Sequence, residues 1–166
     1  MNDSLKIALP SDREIAMTRT FDAPRDLVFR CWTEADLVQR WLTGPEGWSF
    51  VVCEIDLRVG GEYRYVWRGP DGTDMGMRGV YREIARPERI VTAEIFDEDW
   101  TGGETLVTLE LAEHDGRTVV KNTVLFASRK ARDAALATGM ADGVAAGFDR
   151  LDAFLRQQRG AAAPTA

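Results

Sequence analysis

The stretch that most constrains this chain is its last long run, Ser128 to Gln158. It contains no proline, and Leu136, Met140, Val144, Phe148, Leu151 and Leu155 fall three or four residues apart. That spacing puts them on one face of an α-helix about eight turns long. A second stripe of small residues lies beside it: Ala131, Ala135, Gly139, Gly143 and Gly147. Glycine inside a helix costs about 0.5–1 kcal/mol relative to alanine, so three in register mean that something approaches closely. Another backbone and a ligand held beneath the helix both satisfy that requirement.

Everything upstream reads as the surface such a helix would cover. Met1 to Arg13 is polar and without period, and is expected to be a tail or loosely docked arm. Glu14 to Phe21 alternates as a first strand, with Arg19 the odd member of the face carrying Ile15, Met17 and Phe21. Asp22-Ala23-Pro24 is a helix entry, followed by a short helix bearing Leu27, Val28, Cys31 and Trp32. A second short helix is expected from Glu34 to Leu42. Strands are then expected over Ser49–Asp56, Glu62–Arg68, Met75–Ala85, Arg89–Phe96, Thr105–Ala112 and Arg117–Phe126, separated by Gly-, Pro- and Asp-rich turns. Gly79 interrupts its strand and reads as a bulge or bend. The order β, α, α, strands, helix has no βαβ crossover, which excludes a parallel nucleotide-binding sheet. The fold class is α+β, a curved antiparallel sheet gripping a long C-terminal helix. One domain is expected over residues 14–158, with an N-terminal tail over 1–13 and a disordered tail over 159–166.

Charge and composition remove several function classes. A net charge of −6 argues against a nucleic-acid partner. No apolar run is long enough to span a bilayer, and the start lacks the order of a signal peptide. The cytoplasm is therefore the expected location, with Cys31 and Cys53 as reduced, packed thiols. The single histidine, His114, falls in a Glu-His-Asp-Gly turn, which leaves no Ser-His-Asp or Cys-His set and no zinc ligand set. The acidic run Glu94/Asp97/Glu98/Asp99 lacks calcium-loop spacing, and no glycine turn precedes a helix as a phosphate cradle. No metal and no cofactor are called for.

The positive signal is a concentration of large side chains expected to face inward: Trp32, Trp41, Trp48, Tyr63, Tyr65, Trp67, Met75, Met77, Tyr81, Phe96, Trp100, Met140 and Phe148. A packed core would use them equally well. Tyr63 and Tyr65 favour a polar-lined cavity, because a buried hydroxyl needs a partner. Arg19, Glu94 and Asn122 are polar residues on otherwise apolar strand faces, the arrangement by which a pocket orients a ligand. The alternatives are that Arg19 pairs with Glu94, or that both face water. Arg129, Lys130 and Arg132 crowd the first turn of the terminal helix, where the macrodipole favours anions. They form either a solvated patch or a docking site for an acidic partner.

Several segments resemble the bacterial Hsp90-ATPase-activator-like (AHSA1-type) proteins of the START-like SRPBCC superfamily. These are Thr20-Phe21-Asp22-Ala23-Pro24, Cys31-Trp32-Thr33-Glu34, Arg40-Trp41, Cys53 through Gly61 and Pro87-Glu88-Arg89-Ile90-Val91. In the last helix the resemblance continues through Gly139-Met140, Gly143 and Asp149-Arg150-Leu151, so it spans about Glu14 to Leu155. It implies a helix-grip fold around a deep, largely apolar cavity, and a superfamily whose members bind lipids, sterols, polyketides or hormones, some acting as cyclases. It carries no catalytic set. Relatives often have tryptophan where this chain has Val144, which implies a larger cavity beneath the helix or a shift in which ligand fits.

The reading is a non-catalytic binder of a small hydrophobic, aromatic or polyketide-like molecule. The expected cavity residues are Trp32, Trp41, Tyr63, Tyr65, Trp67, Met77, Tyr81, Glu94, Phe96, Asn122, Met140, Val144 and Phe148. The alternatives are a cyclase or hydrolase using Glu94 or a tyrosine, and a regulator of an Hsp90-type chaperone. Monomer and homodimer both remain open.

Overall fold

The computed structural model describes residues 4–162, with side chains through residue 159. Alternating sequence becomes strand where one face can be buried. In β2 (Glu14–Phe21) the residues Ile15, Met17, Arg19 and Phe21 are all buried, on one face. Two short helices follow, α1 (Arg25–Thr33) and α2 (Ala35–Trp41). Pro24 is the N-cap of α1 and no side chain of the entry caps it. The Arg25 N–H instead donates to Glu113 Oε1 at 2.6 Å, so a carboxylate from a distant hairpin supports the start of the helix.

Six strands then run as a meander: β3 (Ser49–Ile55), β4 (Glu62–Arg68), β5 (Asp74–Ala85), β6 (Arg89–Phe96), β7 (Thr105–His114) and β8 (Arg117–Leu125). With β1 (Lys6–Ala8) and β2 they form one antiparallel eight-stranded sheet in the order β1-β2-β8-β7-β6-β5-β4-β3. The β7–β8 turn is made by Asp115 and Gly116, both at positive φ (53° and 76°), as a two-residue hairpin requires. His114 is exposed there.

Four expectations are corrected. The N-terminal arm is not wholly a tail, since Lys6–Ala8 pairs with Ala16–Thr18 at the sheet edge. Part of the C-terminal segment expected as a tail is helical, since the terminal helix continues to Ala162; residues 163–166 lie outside the described residues, as do 1–3. Gly79 is not a bulge. The register shifts occur at Phe50/Val52 and Tyr81/Glu83, while Gly79 keeps regular pairing with Tyr63 on β4 and Glu94 on β6.

The fourth correction concerns the helix itself. The run is two helices, α3 (Arg129–Ala137) and α4 (Met140–Ala162). Gly139 between them adopts φ +82°, the left-handed conformation that ends helices and that glycine tolerates best. The apolar period continues through this break because both helices cover the same sheet. The small-residue stripe therefore has three explanations. Gly139 turns the chain. Gly147 lies 4.0 Å from the Trp41 ring by the position its Cβ would take. At Gly143 a Cβ would meet nothing within 4 Å, because the helix there faces open space.

The core divides into two clusters. The larger joins Phe21, Val28, Phe29 and Trp41 to Phe148, Leu151 and Leu155, and the smaller packs Ile15, Met17 and Phe126 under Ala131 and Ala135 of α3. Arg19 does not pair with Glu94. Its Nη1 donates to Asp149 Oδ1 at 2.6 Å, and Asp152 lies 3.8 Å away, which fastens β2 to α4. Arg132 is also misjudged by its position in the first turn. It is buried and donates to the carbonyls of Ser11 and Glu14 and to Asp133, so it ties α3 to the N-terminal arm and leaves the proposed patch.

Candidate functional site

The concave face of the sheet does not close onto α4. Between them lies a cavity of about 610 Å³, within the range of small-molecule sites. Strand periodicity builds its floor: Tyr63, Tyr65 and Trp67 from β4, Met77 and Tyr81 from β5, and Thr92, Glu94 and Phe96 from β6. Leu109, Asn122 and Met17 continue the floor across β7, β8 and β2, while Met140, Val144 and Phe148 of α4 form the roof. Trp32 and Trp41 close one end. The exposed lining residues Pro45, Trp100, Asp142 and Gly143 mark where the cavity meets solvent.

Two aromatic groups define its shape. Trp32, Trp41 and Phe148 pack with ring centroids 4.7–6.0 Å apart, and the Trp41 indole N–H is satisfied by the Cys31 carbonyl at 2.9 Å. Tyr63 lies 5.0 Å from Tyr65 and 5.3 Å from Tyr81, centroid to centroid, and Tyr65 lies 5.9 Å from Trp67. Trp67 donates to the Leu42 carbonyl at 2.8 Å, fixing the loop after α2 against the rim.

The polar centre is Glu94. The Tyr63 hydroxyl donates to Glu94 Oε2, reaching it across β5 directly above Gly79. A Cβ on Gly79 would fall on Cζ and the hydroxyl of Tyr63, closer than the 3.0 Å real Cβ atoms keep. The glycine is thus the seat of the Tyr63 ring. Glu94 is half-buried, its carboxylate bordering the void. Burial raises its carboxyl above the ordinary value and the Tyr63 hydrogen bond opposes this. Burial likewise pushes the Tyr63, Tyr65 and Tyr81 phenols up, Tyr63 further through the adjacent Glu94 charge. Tyr65 and Tyr81 make no hydrogen bond through their hydroxyls among the described residues, and Asn122 Oδ1 is buried without a donor.

All the residues singled out from sequence as cavity-lining border this one space: Trp32, Trp41, Tyr63, Tyr65, Trp67, Met77, Tyr81, Glu94, Phe96, Asn122, Met140, Val144 and Phe148. Trp48 and Met75, counted with them as inward-facing, stand off its wall. Sequence reasoning missed Met17, Thr92, Leu109 and Arg150, all on the wall, and the part played by Gly79. Met17 and Leu109 carried no signal beyond strand alternation. Gly79 was visible as an interruption, but its role needs the register that sets it between Tyr63 and Glu94.

Among the described residues no group of His, Cys, Asp and Glu side chains is placed to hold a metal ion, and no helix is long and apolar enough to cross a membrane.

The family model for activator of Hsp90 ATPase homolog 1-like protein matches residues 22–156. Among solved structures, a protein from Rhodobacter sphaeroides is 34% identical over 93% of this chain and 99% of its own, with a TM-score of 0.89. A Mycobacterium smegmatis protein is 24% identical over 91% of this chain and 94% of its own, with a TM-score of 0.78. An Hsp90 activator from Plasmodium falciparum is 23% identical over 69% of this chain and 73% of its own, with a TM-score of 0.54. These likenesses agree with the helix-grip arrangement of sheet and terminal helix. No curated protein matches the chain.

Proposed function

The chain belongs to the AHSA1 family, and from that premise we propose that it binds a small hydrophobic molecule in the cavity beneath α4, without a catalytic step. The observation that carries this is the void itself: about 610 Å³ bordered by aromatic and aliphatic side chains. Interiors are otherwise packed with few voids larger than a water molecule, so a cavity of this size costs stability unless something fills it. Filling it with apolar surface contributes about 25 cal/mol per Å² removed from water. Tyr65, Tyr81 and Glu94 then orient the polar part of the ligand.

The test is native mass spectrometry of the purified protein, followed by denaturation and identification of any released molecule. A stoichiometric small molecule supports the reading and names its class. If neither a co-purified molecule nor binding of added lipids, sterols or aromatic polyketides is found, the reading fails.

A second reading, regulation of an Hsp90-type chaperone, is favoured by the family match. It predicts stimulation of a bacterial Hsp90 ATPase that weakens when Arg129 and Lys130 are neutralised. Arg132 is too buried to take part. No stimulation at saturating protein removes this reading.

A further inference from the structure

The polar groups on the cavity wall are gathered mainly on the floor around Glu94, whose carboxylate is the charge among them. We propose that this region receives the basic head group of a hydrophobic ligand, an ammonium or a protonated aromatic amine, with Glu94 as its counter-ion and the tyrosine rings as its cage. The proposal rests on the cavity-binding reading and deepens it.

Glu94 has two carboxylate oxygens, and Tyr63 takes Oε2. Oε1 has no protein donor among the described residues. The cations that could have neutralised it are engaged elsewhere. Arg19 is held by Asp149 and Asp152, and Arg64 is paired with Asp97 on the opposite face of β4. Arg150, a cation on the cavity wall, donates its Nε–H to the Trp41 carbonyl at 3.0 Å. A buried charge is ordinarily paired, and Glu94 forms no ion pair with Arg150 or any other cation among the described residues.

The surroundings select the sign further. Tyr63 bonds the acid and is flanked by the rings of Tyr65 and Tyr81 at centroid distances of 5.0 and 5.3 Å, and an aromatic face attracts cations through its quadrupole. Tyr65 and Tyr81 are only 6% and 3% exposed, and their hydroxyls have no protein partner among the described residues. They are free to accept from the N–H groups of a ligand. Asp142 at the rim adds a second negative group along the entry. A fatty acid or other anionic ligand would set its carboxylate against Glu94, and a purely apolar one would leave Oε1 and two phenols unpaired.

The test is calorimetric titration at neutral pH with three matched probes: 2-(2-naphthyl)ethylamine, 2-(2-naphthyl)ethanol and 2-naphthylacetate. The amine is expected to bind about tenfold or more tighter than the alcohol, with the acid weakest. In Glu94→Gln the amine should lose its advantage, amine and alcohol converging to within about threefold. If that variant does not fold, the ranking on the wild-type protein decides. An alcohol or acid that binds as tightly as the amine overturns the head-group assignment and leaves the cavity reading standing. An amine preference that survives Glu94→Gln overturns Glu94 as counter-ion. Failure of all three probes to bind overturns the head-group assignment, while the cavity reading is decided separately by the mass-spectrometric test.

Discussion

Replacing Gly79 with alanine tests the geometry of the site through the seat of Tyr63. The added Cβ would collide with Cζ and the hydroxyl of Tyr63. The end of an aromatic ring can often swing aside, but this one is held between Tyr65 and Tyr81 at 5.0 and 5.3 Å and tethered to Glu94. Overpacking of this kind costs about 1–3 kcal/mol, and losing a hydrogen bond to a charged group adds about 1.5–3 kcal/mol. Alanine is favoured over glycine in a strand by about 0.5–1 kcal/mol. The net destabilisation is then about 2–5 kcal/mol, a fall in Tm of about 4–20 °C for a domain of this size. Urea unfolding of Gly79→Ala, Tyr63→Ala and the double variant would measure it as a cycle. The alanine should be nearly harmless once Tyr63 is removed. If Gly79→Ala costs under about 1 kcal/mol, or costs as much without Tyr63 as with it, the seating argument is wrong.

Three further outcomes follow from the same coordinates. Burial raises the folded-state pKa of Glu94. The folded protein therefore holds that proton more readily than the unfolded one, and Glu94 subtracts stability above its folded pKa but not below the ordinary value. Glu94→Gln, which can still accept from Tyr63, should stabilise near neutral pH, with the gain fading as pH approaches 4.5; a pH-independent difference in urea unfolding refutes this. Removing both Asp149 and Asp152 strands the Arg19 guanidinium, whose side chain is 4% exposed. The cost should be about 3 kcal/mol, the lower end for a broken buried pair because Asp149 is 73% exposed; Arg19→Met should cost much less, and equal costs would sink the argument. Val144→Trp should fill part of the void beneath α4 and lower the amount of small molecule released on denaturation, with Tm unchanged or raised; undiminished release would place the ligand elsewhere.

The fold was legible because strand alternation is a local signal. Glu62–Arg68, with its aromatic face, reads the same in sequence and structure, and so the cavity floor could be named residue by residue. What could not be read were pairings between distant elements. Arg19 was visible as an anomaly on an apolar face, but its partners lie on α4, about 130 residues away. Arg132 falls in a first helical turn that resembles a solvated cluster, and only the N-terminal arm packed over it makes it buried. Gly139 sits in an unbroken apolar period, so periodicity alone could not distinguish a helix glycine from a helix end. The void at Gly143 was equally hidden, because small residues accompany a close neighbour and an open space alike.

The strand order also dictates when the protein can be finished. From β3 to β8 every pairing joins consecutive strands, contacts whose loop-closure cost is small. The pairing of β2 with β8 is different: it brings Glu14–Phe21 against Thr118–Leu125 across nearly the whole chain. Such non-local closure slows folding. During synthesis the apolar face of β2, with Ile15, Met17 and Phe21, leaves the ribosome early and finds its neighbour only after β8 has emerged, with the roof still to follow. The container is therefore assembled in the reverse of the order in which its first wall is made, and a ligand can be enclosed only by a complete chain.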